Sequence, residues 1–423
     1  MTKIVQLFKI RDLRRKIFAV LGLLLAFRVM AAIPIPGVDI GQLRRFFEGN
    51  QLFGFLNIFS GGGLSNLSIV MLGVGPFITA IIIMQLLTMI FPKLKQMYYE
   101  EGAMGRAKFN RISKYITVPL AFLQSYGFLN LLASQHVFAS AGLADMIKNA
   151  LIVTAGTMVL VWIGDLITEK NIGNGVSILI FAGIVSRIPT TLQRLIVSFD
   201  ATTLTTYLTF SIVAIIVTAG VVYVNEGERK VPIMYAKRVR GIKMYGGASS
   251  YLPLKVNQAG VIPIIFAISV LLFPQFLAQA SAVISRSLSQ TLNTFVTDLF
   301  QNQYWYALIY FILVVAFTYF YTAITFDPAE ISKNLQRSGG FIMGIRPGSS
   351  TTSYLSRIIS RITLWGAVFL GIVAILPNIT RIVTGVSILT IGGTALLIVV
   401  AVALEILRQI NSQLIMRKYE GFE

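Results

Sequence analysis

The residue types that carry most enzyme chemistry are nearly absent from this sequence. It holds no cysteine, which excludes disulfides, thiolate metal ligands and a cysteine nucleophile. Its single histidine, His136, excludes the usual sites in which several histidines bind zinc or iron. No phosphate-binding loop of the form GxxxxGKS or GxxxxGKT occurs, and the stretch NIGNGVS does not make the dinucleotide-binding pattern. The sequence therefore predicts no enzymatic activity, no cofactor and no metal site.

Charged groups inside apolar runs could serve an ion-coupled transporter, but they are few here. Arg28 lies in the first apolar run, and Asp165 and Glu405 lie near the ends of later ones. A proton relay needs a row of facing carboxylates, and these runs do not supply one. We therefore interpret Arg28 as half of a structural pair with backbone carbonyls or a neighbouring span, in preference to a transport role.

One apolar run has a pattern that fits a pore. Residues 69–91 carry no charge and, at about 1.5 Å per residue, are long enough as a helix to cross a membrane. A glycine-proline pair loosens the front of this run, whereas Ile78, Ile82 and Gln85 share one face of its firmer rear part. Such a face is turned towards something other than lipid, either a pore or an ordinary packed neighbour.

The same aliphatic character recurs in other runs. Val176 and Ile180 repeat the spacing of four, and Ile265 and Ile398 lie in later apolar runs. Taken singly, each of these residues fits packing better than a pore.

Composition indicates a polytopic membrane protein. Of 423 residues, 55% are hydrophobic and 13% are charged, and the mean hydropathy is +0.76. A soluble domain would carry about twice that share of charge. The basic amino terminus has no cleavage pattern and does not resemble a transit peptide, so we expect no removable leader.

Apolar runs predict ten membrane spans in an all-α chain. Their approximate limits are 17–35, 68–91, 115–134, 149–168, 175–190, 207–224, 257–278, 304–325, 362–380 and 386–408. An even number of spans places both termini on one side, and that side holds 28 of the 36 lysines and arginines, against 7 on the other. The positive-inside rule then places both termini in the cytoplasm.

The chain also divides in the middle. Five spans precede the segment 191–206 and five follow it, which predicts two halves, 1–196 and 197–423. An odd number of spans in each half would give the two halves inverted topology around a central pore.

Two long cytoplasmic segments, 225–256 and 326–361, are basic and rich in glycine and turn residues. Positive-inside topology and contact with anionic lipid account for such charge, yet loops of this length usually have a function of their own. A lipid-facing role and a docking role are both open for them.

Five stretches closely resemble the bacterial SecY family, whose members form the channel of the Sec protein-conducting translocon. They are FSGGGLSNLSIVMLGVGPFITAIIIMQLL (59–87), GNGVSILIFAGIV (173–185), YLPLKVNQAGVIPIIFA (251–267), GIRPG (344–348) and IGGTALLIVV (391–400). The likeness covers essentially the whole chain, and the run 27–39 fits the family's first span. It implies two five-span halves, hinged between the fifth and sixth spans, with a lateral gate formed by the second, third, seventh and eighth.

The resemblance also implies roles for individual residues. The constriction ring would be Ile78, Ile82, Val176, Ile180, Ile265 and Ile398, apolar throughout although one member is valine. A plug helix that blocks the external funnel would comprise Gly61, Gly62, Gly63, Leu64, Ser65, Asn66, Leu67 and Ser68, and its three glycines favour a mobile, weakly anchored segment. Polar residues at the lateral gate would be Gln85, Thr88, Gln124 and Asn257.

The long basic loops resemble the docking site of the SecA motor and the translating ribosome. Arg346 in GIRPG is the most specific element, with Arg238, Arg240 and Lys243 as further candidates. Only Lys243 falls where the family often has a basic pair. The implied partners are SecE and SecG subunits, the SecA ATPase, the ribosome, signal peptides and preproteins, and the lipids of a bacterial cytoplasmic membrane, with no nucleic acid other than ribosomal RNA.

Two other classes of function were weighed against a channel. A secondary transporter fits poorly because buried carboxylates are scarce and the cytoplasmic loops are long and basic. A membrane-embedded enzyme fits poorly because the spans lack histidine, cysteine and paired acids. The leading hypothesis is a channel without enzymatic activity that passes unfolded polypeptide and releases hydrophobic segments sideways into lipid.

Overall fold

Long α-helices dominate the structure. The computed structural model describes residues 10–37, 62–64, 66–134, 137, 142–190, 193, 204–235, 238–240, 243–245, 249–281, 291, 292, 294, 302–384 and 392–420. Its helices are Arg11–Ala32 (α1), Gly75–Ile90 (α2), Pro92–Tyr99 (α3), Gly102–Ser134 (α4), Leu143–Glu169 (α5), Gly175–Val185 (α6), Leu204–Glu226 (α7), Ile262–Ser281 (α8), Gln303–Thr325 (α9), Pro328–Arg337 (α10), Ser349–Thr384 (α11) and Gly392–Glu420 (α12). Its strands are Glu228–Tyr235 (β1), Arg238–Arg240 (β2), Lys243–Tyr245 (β3), Ser249–Lys255 (β4) and Gly340–Ile342 (β5).

The chain divides into two compact units. The first comprises Met1–Thr205, Ile268–Asn302 and Val402–Glu423, and the second comprises Thr206–Ala267 and Gln303–Ala401. Both units draw on more than one stretch of the sequence. The predicted halves, 1–196 and 197–423, stay a prediction.

Several helices are long and apolar enough to cross a membrane. Within the described residues these are Leu143–Glu169, the stretch Tyr304–Arg337 that contains α9 and α10, Ser349–Leu376 and Ala395–Met416. A fifth span results if α2 and α3, which are bent by 113° at their junction, are counted together. The chain is therefore a multi-pass membrane protein, and the number of ten spans stays a prediction.

The predicted span 68–91 is helical only in its rear part. The helix α2 begins at Gly75 and has Pro76 in its first turn, where a missing backbone donor carries no penalty. The described residues before it, 62–64 and 66–74, form turns and one β-bridge. The loose front and firm rear expected from the sequence are confirmed, and the helix is 16 residues long.

Close backbone contacts shape the first unit. The helix α4 packs against α2 and α5, and α5 packs against α6. A Cβ atom at Gly175 would lie 1.8 Å from the carbonyl oxygen of Gly164, and one at Gly156 would lie 2.1 Å from that of Ile69. Because backbone meets backbone at both points, no larger side chain fits without moving a segment.

The long loops of the second unit form strands, so the all-α prediction is wrong there. The strands β4, β1 and β5 make an antiparallel sheet in that order, and β2 pairs with β3. Val231 and Ile233 alternate with exposed neighbours along β1, which gives the sheet one buried face. The alternation along β1 is short, and the strand that pairs with it, β5, lies far along the chain. Hydropathy alone therefore did not indicate this sheet.

Both long loops share one hydrophobic core. Its buried members are Val231, Leu254, Ile342, Leu355, Ile358 and Ile359. The helix α10 packs against α11 and β5 at this core. We call the β4-β1-β5 sheet, α10 and the first part of α11 the loop body, because residues of 225–256 and of 326–361 fold together in it.

We expect Gly175→Ala to destabilise the protein, because the added methyl group would force α6 away from Gly164 on α5. Overpacking of this kind costs about 1–3 kcal/mol. Gly22→Ala on α1 is the matched control, since nothing lies within 4 Å of its Cβ position. Thermal unfolding of both variants in one detergent measures the difference, and an unfolding midpoint of Gly175→Ala equal to that of the parent would contradict the close contact.

Candidate functional site

The six aliphatic positions expected to form a ring all lie on helices. Those on α2 and on α6 are spaced by one helical turn and belong to the first unit, and the remaining two lie on α8 and α12 in the second unit. All are buried except Val176, which is half-buried. In chain order they are Ile78, Ile82, Val176, Ile180, Ile265 and Ile398. Their burial fits a face turned away from lipid, and the ring itself stays a prediction.

The predicted plug begins a segment of turns and is not a helix. Gly61 and Ser65 of the plug lie outside the described residues. The described turns continue beyond the plug as far as residue 74, and we call residues 62–64 and 66–74 the turn segment. The N–H of Leu67 donates to the carbonyl oxygen of Leu64 (3.0 Å), and that of Ser68 donates to Gly63 (2.8 Å). Gly62 and Leu67 have φ of 88° and 40°, outside the right-handed helical region, so a helix over these residues is excluded.

The turn segment is bound to the chain that follows α1. The N–H of Ile35 donates to the carbonyl oxygen of Leu67 (2.8 Å), and the N–H of Ile69 donates to that of Ile33 (3.0 Å). Leu64 and Leu67 are buried in a core whose other members are Ile35, Met71, Phe128, Leu129, Leu132, Val137, Ala150 and Val153. The weak anchoring expected from three glycines is therefore wrong for this arrangement, because two leucines and a pair of backbone hydrogen bonds hold the segment.

Two arginines approach the start of the turn segment. A Cβ atom at Gly62 would lie 3.7 Å from Nε of Arg187 and 3.9 Å from Nη1 of Arg28. The guanidinium carbon of Arg28 also lies 6.0 Å from the ring centre of Phe27. The position of Arg28 beside the turn segment fits its interpretation as half of a structural pair. Arg187, which follows α6, was not singled out from the sequence, where its only signal is a basic residue at the end of an apolar run.

The polar residues expected at a lateral gate are buried. In the first unit, Thr88 Oγ1 donates to the backbone carbonyl of Gln85 (2.6 Å), and Gln124 on α4 is buried as well. Among the described residues no donor reaches the side-chain oxygen of Gln85, Oε1. The amide of Gln85 is thus a buried acceptor on the same helix face as Ile78 and Ile82.

Asn257, in the second unit, has a partner that sequence reasoning missed. Its Nδ2 donates to Oδ1 of Asn225 (2.7 Å) and to the carbonyl oxygen of Gly260 (3.1 Å). Both asparagines are buried. Asn225 lies in the last turn of α7, where an asparagine in a sequence looks like an ordinary helix-end residue.

The Gly-Ile-Arg-Pro-Gly turn of the loop body is held by hydroxyl groups of Ser332, Thr351 and Thr352. Ser332 Oγ donates to the carbonyl oxygen of Gly348 (2.8 Å), and Thr351 Oγ1 donates to that of Arg346 (2.9 Å). Gly344 and Gly348 have φ of 80° and 104°, a conformation that favours glycine. The tight return expected from the sequence is confirmed, and Arg346 is exposed within it.

The other basic candidates lie on one small hairpin. Arg238 and Arg240 belong to β2 and Lys243 belongs to β3. The register places Arg240 opposite Lys243 and Arg238 opposite Tyr245. The backbone therefore gathers these three positions on a single two-stranded element.

The described residues were expected to offer no metal site, and they contain no cluster of the usual ligand types. In that part of the chain, no group of three or more His, Cys, Asp or Glu could hold a metal ion. Asp165, one of the few carboxylates near an apolar run, forms an ion pair with Lys114 (2.5 Å between Oδ2 and Nζ). The ion pair of Asp165 links α4 to α5, which gives this carboxylate a structural role.

Comparison with known proteins finds relatives along the whole chain. The family model SecY matches residues 68–407. The chain is 41% identical to the protein translocase subunit SecY of Mycobacterium tuberculosis, over 97% of this chain and 97% of that protein. It is also 41% identical to the SecY subunit of Corynebacterium glutamicum, over 100% of this chain and 99% of that protein.

Solved structures share the fold at lower identity. A protein conducting channel matches with a TM-score of 0.64 and 18% identity, over 94% of this chain and 91% of its own. A SecY structure whose plug domain is described as stabilising the closed state matches with a TM-score of 0.63 and 20% identity, over 92% and 90%. Sec61 in the canine ribosome-channel complex from the endoplasmic reticulum matches with a TM-score of 0.60 and 18% identity, over 94% and 91%.

Proposed function

The chain belongs to the SecY family, and we propose that it is the protein-conducting channel of the general secretory pathway in a bacterial cytoplasmic membrane. The observation that carries this proposal is the identity to SecY subunits over the full length of both chains. The channel moves unfolded preproteins across the membrane and has no catalytic residue of its own. Ten spans form two inverted halves, 1–196 and 197–423, and both termini lie in the cytoplasm.

The seal of the channel is the aliphatic ring on α2, α6, α8 and α12. A channel that passes polypeptide of any sequence cannot use specific hydrogen bonds to its cargo. Compact aliphatic side chains yield around varied residues, and an apolar constriction still excludes ions by dewetting. The burial of these positions supports the assignment, because a lipid-facing stripe would be exposed.

The plug of the resting channel is the segment 61–68, whose described residues, 62–64 and 66–68, begin the turn segment. Its attachment to Ile33 and Ile35 consists of two backbone hydrogen bonds, which a moving chain can exchange. Leu67 is held at φ of 40°, and such a conformation costs about 1–3 kcal/mol for a residue other than glycine. This strain is relieved when the segment leaves, which lowers the free energy needed to open the channel.

The lateral gate contains Gln85, Thr88, Gln124 and Asn257. Hydrophobic segments leave through it into lipid, and their transfer is favourable by about 25 cal/mol for each Å² of apolar surface buried. The buried amides at this place give the gate hydrogen-bonding groups within a largely apolar wall.

The loop body is the docking site for the SecA motor and the ribosome, and SecE and SecG complete the channel complex. Arg346 is exposed on a backbone that three hydroxyl groups hold in place, and its planar fork suits an acidic protein surface or the phosphates of ribosomal RNA. The related Sec61 channel is known in a complex with a ribosome. Arg238, Arg240 and Lys243 add charge from the neighbouring hairpin.

A disulfide across the bridge between the turn segment and residue 34 tests the plug. Pro34 and Ser68 face each other in an antiparallel bridge, and such non-hydrogen-bonded pairs have Cα atoms about 4.5 Å apart, close enough for a disulfide. The chain has no other cysteine. We expect membrane vesicles that contain the Pro34→Cys, Ser68→Cys channel to stop exporting precursor on oxidation and to recover with reductant.

The two single-cysteine variants are the controls, because neither can close the bridge. Export that continues after complete disulfide formation would remove displacement of the turn segment from the mechanism.

The seal is tested by ion conductance. We expect Ile82→Ser combined with Ile265→Ser to raise the leak of the resting channel in planar bilayers severalfold, and to relax signal-sequence selectivity, because a polar constriction stays wet. Ile184→Ser is the matched control, since Ile184 is buried on α6 but outside the ring. A conductance of the double variant indistinguishable from that of the parent would contradict the assignment of these residues to the ring.

Docking through Arg346 is tested by two substitutions at equal channel abundance. We expect Arg346→Lys to impair precursor export and SecA binding, because lysine lacks the planar fork, and Arg346→Glu nearly to abolish both. Arg337, an exposed arginine of the same loop body, is the matched control position. A lipid-facing charge would make the lysine variant harmless, and full activity of the glutamate variant would exclude Arg346 from docking.

A further inference from the structure

Asn225 and Asn257 form a buried pair in the second unit. Their hydrogen bonds determine which atom of the Asn257 amide remains available for a further hydrogen bond. The Gly260 carbonyl oxygen can only accept a hydrogen bond, so the atom of Asn257 that faces it must be Nδ2. The same Nδ2 donates its second hydrogen to Asn225 Oδ1. Both donor hydrogens of Asn257 are therefore in use, and a flip of its amide would break the hydrogen bond to Gly260.

Within the part of the chain that the structure describes, the opposite atom of this amide, Oδ1, has no hydrogen-bond partner. Among the described residues no donor reaches Oδ1 of Asn257, although the residue is 6% exposed. An unsatisfied acceptor in a buried position is unfavourable, and a donor that arrives there gains most of a hydrogen bond. Asn257 thus presents a single acceptor in a fixed direction.

The backbone on both sides of the pair is held by the loop body. Glu228 stands opposite Lys255 at the end of the β1–β4 ladder, and the N–H of Val256 donates to the carbonyl oxygen of Gly227 (2.8 Å). A Cβ atom at Gly366 on α11 would lie 2.6 Å from the carbonyl oxygen of Val256. The hairpin register therefore brings Asn225 and Asn257 together, and α11 leaves Val256 little room to move.

We propose that Asn225 is a positioning residue of the lateral gate, which orients Asn257 so that its Oδ1 accepts a hydrogen bond from a signal segment entering the channel. The donor is an N–H or O–H group of that segment. This inference rests on the proposed function, in which Asn257 lines the gate. Asn225 itself does not touch the cargo and acts only through the orientation of Asn257.

The test compares variants that keep or lose the acceptor of residue 225. Asn225→Leu has similar size and no acceptor, whereas an aspartate in Asn225→Asp offers an oxygen in either protonation state. The measurement is discrimination, the ratio of export of a precursor with an intact signal to export of one with a charge in its apolar signal core. We expect Asn225→Leu to lower discrimination roughly five- to tenfold, as for the loss of one hydrogen bond, and Asn225→Asp to stay within about twofold of the parent.

A double-mutant cycle separates positioning from a general effect on packing. In the Asn257→Leu background we expect Asn225→Leu to cause no further change in discrimination, because the atom that it orients is gone. Asn378→Leu, which removes another buried asparagine of the second unit, controls for loss of stability and should leave discrimination at the parental value. If Asn225→Leu accumulates poorly, Asn225→Ala replaces it in the same cycle.

Three outcomes would overturn the inference. Equal effects of Asn225→Leu with and without Asn257 would show that Asn225 acts elsewhere. A loss of discrimination in Asn225→Asp as large as in Asn225→Leu would exclude the acceptor. If Asn257→Leu itself leaves discrimination unchanged, Asn257 has no gate role, which also removes that part of the proposed function, whereas the first two outcomes leave the proposed function intact.

Discussion

Hydrocarbon offers no hydrogen bonds, so each polar group of this chain that lies within the membrane must find its partner inside the protein. Several hydroxyl groups within the helices meet this constraint by donating to their own backbone, as Thr154 does to Ala150 and Thr318 to Val314. The buried amides of Gln85 and Asn257 meet it only in part, since their side-chain oxygens accept nothing within the described residues. A hydrogen-bond donor that reaches either oxygen would remove the cost of leaving it unsatisfied.

The helices follow from local features of the sequence, and this is why they could be predicted. Apolar runs indicate a helix in lipid because no other open structure satisfies the backbone there. The start of α2 at Gly75 and the turn around Arg346 were also readable, because Pro76, Gly344 and Gly348 restrict or permit backbone conformations on their own. Each of these predictions depends on neighbours within a few residues.

The features that sequence reasoning missed depend on residues far apart in the chain. The strand β1 pairs with β5, although α8, α9 and α10 lie between the two strands in the sequence. No local pattern indicates that partner. The turn segment is anchored by Ile33 and Ile35, which lie much earlier in the sequence, so its glycines alone suggested mobility. Asn225 stands out only because folding brings it beside Asn257. Arg187 likewise stands out only because folding brings it beside Gly62.

The three-stranded sheet of the loop body has a consequence for the order in which the chain is made. The ribosome completes β1 and β4 well before β5, and until then one edge of β1 is open and its buried face lacks Ile342 and Leu355. An open strand edge pairs readily with other extended chains. A chain still being synthesised therefore lacks a finished loop body, and the open edge of β1 is covered only once β5 has been made.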